Sequence, residues 1–287
     1  MTTITAPTVT VTPPTVAAAS RPSRWSVFST LAGRRFTLSA HTPREVLVPL
    51  LTPILFADVI APALAKSIPA TSGIDYQSFV AVGTIGLLVP LSCVLGGIGM
   101  IVDRESGARR DLLAAPAPRA LMVFGNLSVA LAVSTFQVVA LLLASVARGA
   151  TYSTALSSWL WAAAAVVGLA TLMHGVAEIL AARIKKQEEY VGAGPPVALL
   201  PWFLAGSFFP ISAMPAGLTA IAKLLPVTHA LALLRYGLVD SSGRGLHDIW
   251  GMSNTTVMAS LSLAVVLGFA VGVLALSTRV FTRSAIT

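Results

Sequence analysis

FVAVGTIGLLVPLSCVLGGIGMIV, residues 79–102, contains no charged side chain, and DRESGARRDLLAAPAPR, residues 103–119, follows it directly. A helix rises about 1.5 Å per residue, so a hydrocarbon core roughly 30 Å thick needs about 20 consecutive apolar residues. The first stretch meets that length. The second carries Asp103, Arg104, Glu105, Arg109, Arg110, Asp111 and Arg119, both signs mixed. So abrupt a change from apolar to charged marks the passage from lipid to water.

Working outward, five more segments read as spans: about 46–65, 120–147, 155–182, 193–213 and 255–278. Composition agrees. Of 287 residues 55% are hydrophobic and 10% charged, with mean hydropathy +0.83. A soluble domain carries roughly 25% charged residues, so this chain has too little polar surface to coat a water-exposed body. The expected fold class is an all-α integral membrane protein with six transmembrane helices. Pro49, Pro53, Pro90 and Pro201, with Gly96 and Gly97, fall inside the spans, where neighbouring helices compensate for lost backbone bonds.

The flanks divide the chain further. Residues 1–20, rich in Thr, Pro, Val and Ala with Pro13 and Pro14 adjacent, read as a disordered tail. In 21–44, Trp25, Phe28, Ala32 and Phe36 recur at spacings of three and four, with Arg24, Arg34 and Arg35 at other positions. That pattern predicts an amphipathic helix lying in the headgroup region on the cytoplasmic side. The transmembrane domain then occupies 45–280 and a short cytoplasmic tail 281–287.

Orientation follows from Lys and Arg, which concentrate on cytoplasmic loops. With the N-terminus inside, all but Lys66, Arg148, Lys223, Arg235 and Arg244 of the 19 basic residues fall on the cytoplasmic side, and both termini are cytoplasmic. The apolar stretch 216–237 tempts a seventh crossing. Pro226 divides it, however, and Lys223, His229 and Arg235 interrupt it. A seventh crossing would also place Arg279 and Arg283 outside. Two short helices that dip into the outer leaflet and return are the better reading.

Several chemistries have no foothold here. The net charge of +8 is spread in short runs between spans, so it predicts no nucleic-acid partner. Cys93 is the single cysteine, which excludes an internal disulfide and a thiolate metal cluster. Lys66, Lys185, Lys186 and Lys223 follow Ala, Ile, Lys and Ala, so none sits in a Walker A loop, where Gly precedes the lysine. No HExxH or Gly-x-Ser-x-Gly occurs. No catalytic, cofactor-binding or metal residue is expected on this chain. Among polar residues within spans, Asp58 is a candidate for the translocation path, as are Phe208 and Phe209 at the outer end of the fifth. His174 and Glu178, one helical turn apart, read as a polar packing pair or a contact to the amphipathic helix.

The segment 103–119 is more heavily charged than a mere turn requires, and mixed signs suit docking on a complementary surface. Ile184-Lys-Lys-Gln-Glu-Glu-Tyr190 repeats the arrangement at the next cytoplasmic turn. Here a resemblance enters. Arg104-Glu-Ser-Gly107 followed by Leu112-Leu113 and Pro116 resembles a segment of ABC-2 type exporter permeases, with Ala108 where that family usually has Thr. Ala205-Gly-Ser-Phe-Phe-Pro210, Met214-Pro215, Leu225-Pro-Val-Thr-His229 and Arg235 resemble that family's second signature, most closely in its daunorubicin-type drug-resistance branch.

The resemblance covers residues 25–280 or so. It implies a half-transporter in a bacterial plasma membrane, paired with a second copy of itself or a related permease. A separate ATP-binding subunit would hold the ATP and Mg. The coupling contact would then fall to Asp103, Arg104, Glu105, Gly107, Arg109, Arg110 and Leu112 of the first turn, and Lys185, Lys186, Glu188 and Glu189 of the second. The 214–237 pair would be the re-entrant helices of the fold. A hydrophobic drug or lipid is the expected substrate. A lipid-linked glycan is one alternative, and a secondary transporter driven by an ion gradient is another.

Overall fold

The computed structural model describes residues 23–41, 76–115 and 118–283, with isolated positions between 47 and 59. Helix α1 covers Arg24–His41, α2 Tyr76–Gly96, α3 Ile98–Glu105 and α4 Ala108–Ala114. The long helices α5, Arg119–Ala147, and α6, Leu156–Arg183, follow, and then α7, Gln187–Leu204. A 3-10 turn at Ile211–Ala213 leads into α8, Ala216–Leu224, α9, Pro226–Leu238, the short α10, Arg244–Trp250, and the last long helix α11, Thr255–Arg283. The described residues form no strand.

Four helices among the described residues are long and apolar enough to cross a membrane: Tyr76–Glu105, Arg119–Ala147, Leu156–Arg183 and Thr255–Arg283. These match four of the expected spans to within a few residues. Most of the span expected at 46–65, including Asp58, lies outside the described residues, as do the tail 1–20 and Pro116.

The span expected at 193–213 takes a different register. Its helix starts at Gln187 and ends at Leu204, after which the chain turns through Gly206 at φ +76°. Glu188 and Glu189 lie in the first turn, where a carboxylate is favoured by the helix dipole. An apolarity scan therefore starts the segment too late. At 18 residues the helix is roughly 27 Å long, a little short of the core, and it does not join the four described helices that are long and apolar enough to cross a membrane. Trp202 is fully buried and donates from Nε1 to the Gly83 carbonyl at 2.8 Å, holding α7 against α2.

One cluster of contacts defines an end of the bundle. At one end Tyr76 Oη donates to the Phe208 carbonyl at 3.0 Å and Gln77 Nε2 to the Arg148 carbonyl at 3.0 Å. At that same end the Ser153 amide donates to the Leu238 carbonyl at 2.8 Å. Phe208 precedes the α8–α9 pair and Leu238 ends it, so the pair enters and leaves at one end. The two helices meet at 83°. Pro226 starts α9 at a position where a missing N–H is harmless. The pair is re-entrant, as the sequence predicts, and α11 begins where it returns. Asn254 caps α11, its Oδ1 accepting from the Val257 amide at 3.1 Å.

The core is a seam of small and branched residues. On α6, Gly168 and Gly175 face Val266 and Val273 of α11 so closely that an added Cβ would come within 2.7 and 2.9 Å of them. In lipid the hydrophobic effect does not drive helices together, so small residues that admit close backbone approach do that work. The outer faces of α5 and α11 leave Phe136, Leu143, Phe269 and Val271 exposed, as expected of surfaces that meet lipid or a second subunit.

Candidate functional site

The two mixed-charge turns lie together at the end opposite the re-entrant pair. Asp103, Arg104 and Glu105 close α3, and the chain turns at Gly107, whose φ of +80° is in the left-handed region. A side chain there costs roughly 1 kcal/mol or more, so glycine suits the turn that swings α4 away from α3. Residues 184–186 form the second turn, between α6 and α7.

Arg104 joins them. Its guanidinium donates to three backbone carbonyls: Ala181 at 2.9 Å, Ile184 at 2.7 Å and Lys185 at 2.8 Å. The last carbonyls of a helix have no intrahelical partner, and a cation there also meets the negative end of the dipole. One side chain of the first turn thereby fixes the shape of the second.

Asp103 faces the other way. Arg34 of α1 grips it with two bonds, Nη2 to Oδ1 at 2.8 Å and Nη1 to Oδ2 at 3.2 Å. The hydrogen bonds that it donates to the Asp103 carboxylate hold the Arg34 pKa above its ordinary value, outweighing the partial burial that lowers it. The adjacent Arg35 is buried and donates to the Gly96 carbonyl at 2.8 Å. Its guanidinium lies so close over Gly99 that a Cβ there would collide with it. The sequence predicts an amphipathic α1, with Trp25 and Phe36 on the apolar face and the arginines elsewhere. Trp25 and Phe36 are indeed exposed, but Arg34 and Arg35 face the bundle rather than water. The reason is a long-range partner: Asp103 is invisible to a periodicity read over α1 alone.

Further contacts tie the junction to the remaining helices. Arg109 sits 4.6 Å from the Phe281 ring centroid at the end of α11. Partial burial lowers the Arg109 pKa, and the nearby charge of Arg104 lowers it further. Arg119 donates to the Thr282 carbonyl at 3.1 Å. Tyr190, in the first turn of α7, donates its hydroxyl to the Val94 carbonyl at 2.7 Å. That hydroxyl stands where a Cβ on Gly97 would be, at the break between α2 and α3. Deeper in, Asn126 donates to Glu178 at 3.2 Å, and His174 Nε2 lies 3.4 Å from the same carboxylate. Glu178 and His174 thus form the polar packing pair their spacing predicts.

The expected coupling residues separate into two groups. Asp103, Arg104, Arg109 and Leu112 are partly buried against the rest of the bundle. Glu105, Arg110, Lys185, Lys186, Glu188 and Glu189 are exposed. Of these, Glu105 of the first turn and Lys186 and Glu188 of the second line one open notch with Gln187 and Val191. Phe208 and Phe209 lie at the far end. Phe208 packs edge-on against Trp202, centroids 5.0 Å apart, while Phe209 is 48% exposed.

Sequence reasoning missed Arg34 and Arg35 as parts of this junction, and it placed Tyr190 in the second charged segment without foreseeing its bond to α2. The only signal available was paired basic residues within an otherwise apolar periodicity.

Fold and junction together define a multi-pass, all-helical membrane protein with a re-entrant helix pair at one end and a knot of charged turns at the other. Residues 26–239 match the sequence profile of the family described as ABC-2 type transporter, and the chain belongs to that family. No curated protein matches it in sequence. The chain is accordingly the membrane-embedded permease component of an ABC transporter, not itself a catalyst.

Proposed function

We propose that this permease exports a hydrophobic drug or lipid across a bacterial plasma membrane, driven by an ATP-binding subunit that docks on the notch between its two charged turns. Both termini lie in the cytoplasm in this reading. Two permeases, identical or related, enclose the path, and two ATPase subunits carry ATP and Mg beneath them. The observation that carries the proposal is Arg104. It welds the end of α3 to the 184–186 turn, so a force applied at Glu105, Lys186 or Glu188 moves α2–α3, α6 and α7 as one body.

The division of labour follows from exposure. Glu105, Arg110, Lys185, Lys186, Glu188 and Glu189 present charge of both signs to the partner. Asp103, Arg104, Arg109 and Leu112 hold the platform, and Gly107 sets its turn. The arginines of α1 extend the platform to the interfacial helix, so motion of the junction also moves α1 along the headgroups.

Coexpression with candidate ATP-binding subunits tests this. The expected result is a stable complex whose ATP turnover is vanadate-sensitive and falls when Glu105 and Glu188 are both replaced by Lys. Transport that persists without ATP and collapses with a protonophore would refute the proposal in favour of an ion-driven carrier.

A further inference from the structure

The end of the molecule away from the charged turns holds a second polar site, unused by the coupling reading and independent of it. A cavity of about 130 Å³ is lined by Phe79 of α2, Thr228 and Arg235 of α9, and Asp248 of α10. Two hydrogen-bonding atoms of its lining residues are unmet. Arg235 Nε and Thr228 Oγ1 are buried without a hydrogen-bond partner among the described residues, in side chains 8% and 3% exposed.

Arg235 is firmly placed, not adrift. Its Nη2 donates to the Ser207 carbonyl at 2.9 Å and its guanidinium lies 3.6 Å from the Phe79 ring centroid. An unmet buried donor is costly to stability and is rare in folded proteins unless a ligand or ordered water completes it. One water needs about 10–15 Å³ of such volume, so the cavity exceeds one water and has room for a small headgroup.

The sign of that group follows from the rest of the lining. Asp240 lines the cavity too, but its carboxylate already accepts from Ser242 and from the Arg244 amide. Asp248 accepts no hydrogen bond among the described residues; its charge acts on Arg235, and Arg244 lines the cavity as a second cation. A simple anion would meet the Asp248 carboxylate, and a simple cation would meet Arg235. A zwitterion satisfies both.

We propose that this cavity binds a phosphate–amine zwitterion of the phosphoethanolamine type, with a phosphate oxygen on Arg235 Nε and Thr228 Oγ1 and the amine toward Asp248. The same chemistry is carried by a membrane phospholipid and by the free headgroup, and the test separates the two.

The full chain, purified in detergent, is titrated with phosphatidylethanolamine, phosphatidylglycerol and water-soluble O-phosphoethanolamine, and thermal unfolding is followed by tryptophan fluorescence. Phosphatidylethanolamine is expected to raise Tm more than phosphatidylglycerol. Equal action by O-phosphoethanolamine identifies the headgroup alone as ligand, and its inaction identifies the intact lipid.

Because Arg235 also supports the fold, the diagnostic variant is Thr228→Val. It removes an unbonded hydroxyl, so its ligand-free Tm should be no lower than that of the unaltered chain, while about tenfold more ligand is needed for the same shift. Asp248→Asn should erase the preference for phosphatidylethanolamine over phosphatidylglycerol. A Thr228→Val response identical to that of the unaltered chain, or equal stabilisation by both lipids before any substitution, would overturn the proposal.

Discussion

Arg104 makes bonds that no other residue type can reproduce. Three carbonyls on one guanidinium need its planar fork, which Lys lacks. Arg104→Lys should therefore leave the protein folded and membrane-inserted but cut substrate-stimulated ATP turnover of the complex at least tenfold. Arg104→Ala should additionally cost about 2 kcal/mol of stability, measured by thermal unfolding. Gly107 offers a cleaner probe of the turn itself. Nothing lies within 4 Å of a Cβ built there, so Gly107→Ala should lose only the left-handed backbone cost, about 1 kcal/mol. The Arg34–Asp103 pair has a pH signature with a definite sign. A cation whose folded pKa is raised stabilises fully below its unfolded value, which for a guanidinium lies far above neutral pH, and loses that contribution only as pH rises through the still higher folded value. The Tm difference between the unaltered chain and Arg34→Gln should thus be constant from pH 7 to 10. No Tm difference between the two at any pH in that window would mean the guanidinium is not held by Asp103. Little of this was legible in the sequence. Charge marked 103–119 and 184–190 as special, but Arg34 and Asp103 are 69 residues apart, and no local period encodes such a partner.

Helices were far more legible than their contacts. Four long apolar runs became four long helices because length and composition alone decide which backbones can live in lipid. Pro226 made the break between α8 and α9 readable, since proline opens a helix more easily than it continues one. The fifth span was misregistered by Glu188 and Glu189, charged residues that belong to its helix but not to its apolar part. The α6–α11 seam was not legible at all, because glycines in spans are common and only the fold shows which of them face a neighbour. Gly175→Val should separate that seam. It places branched carbon against Val273 and the Leu274 backbone, and the expected result is a Tm lowered by several degrees with membrane insertion unchanged. Gly272, with nothing within 4 Å of a Cβ, is the control: Gly272→Ala should leave Tm unchanged or slightly raised.

At the scale of the whole molecule, the account rests on polarity between two ends. One end gathers α1, the two charged turns and the end of α11, and the other gathers the re-entrant pair and α10. A motor can act on such a body only if the charged end is cytoplasmic and its two turns form a single grip. The direct test is photo-crosslinking from two positions in the assembled complex, with a crosslinking amino acid placed in turn at Glu105 and at Glu188. Both positions are predicted to capture the same ATP-binding subunit, with yields that change together on adding ATP and vanadate. Capture from one turn only, or labelling of either position by a membrane-impermeant reagent applied from outside the cell, would contradict the account.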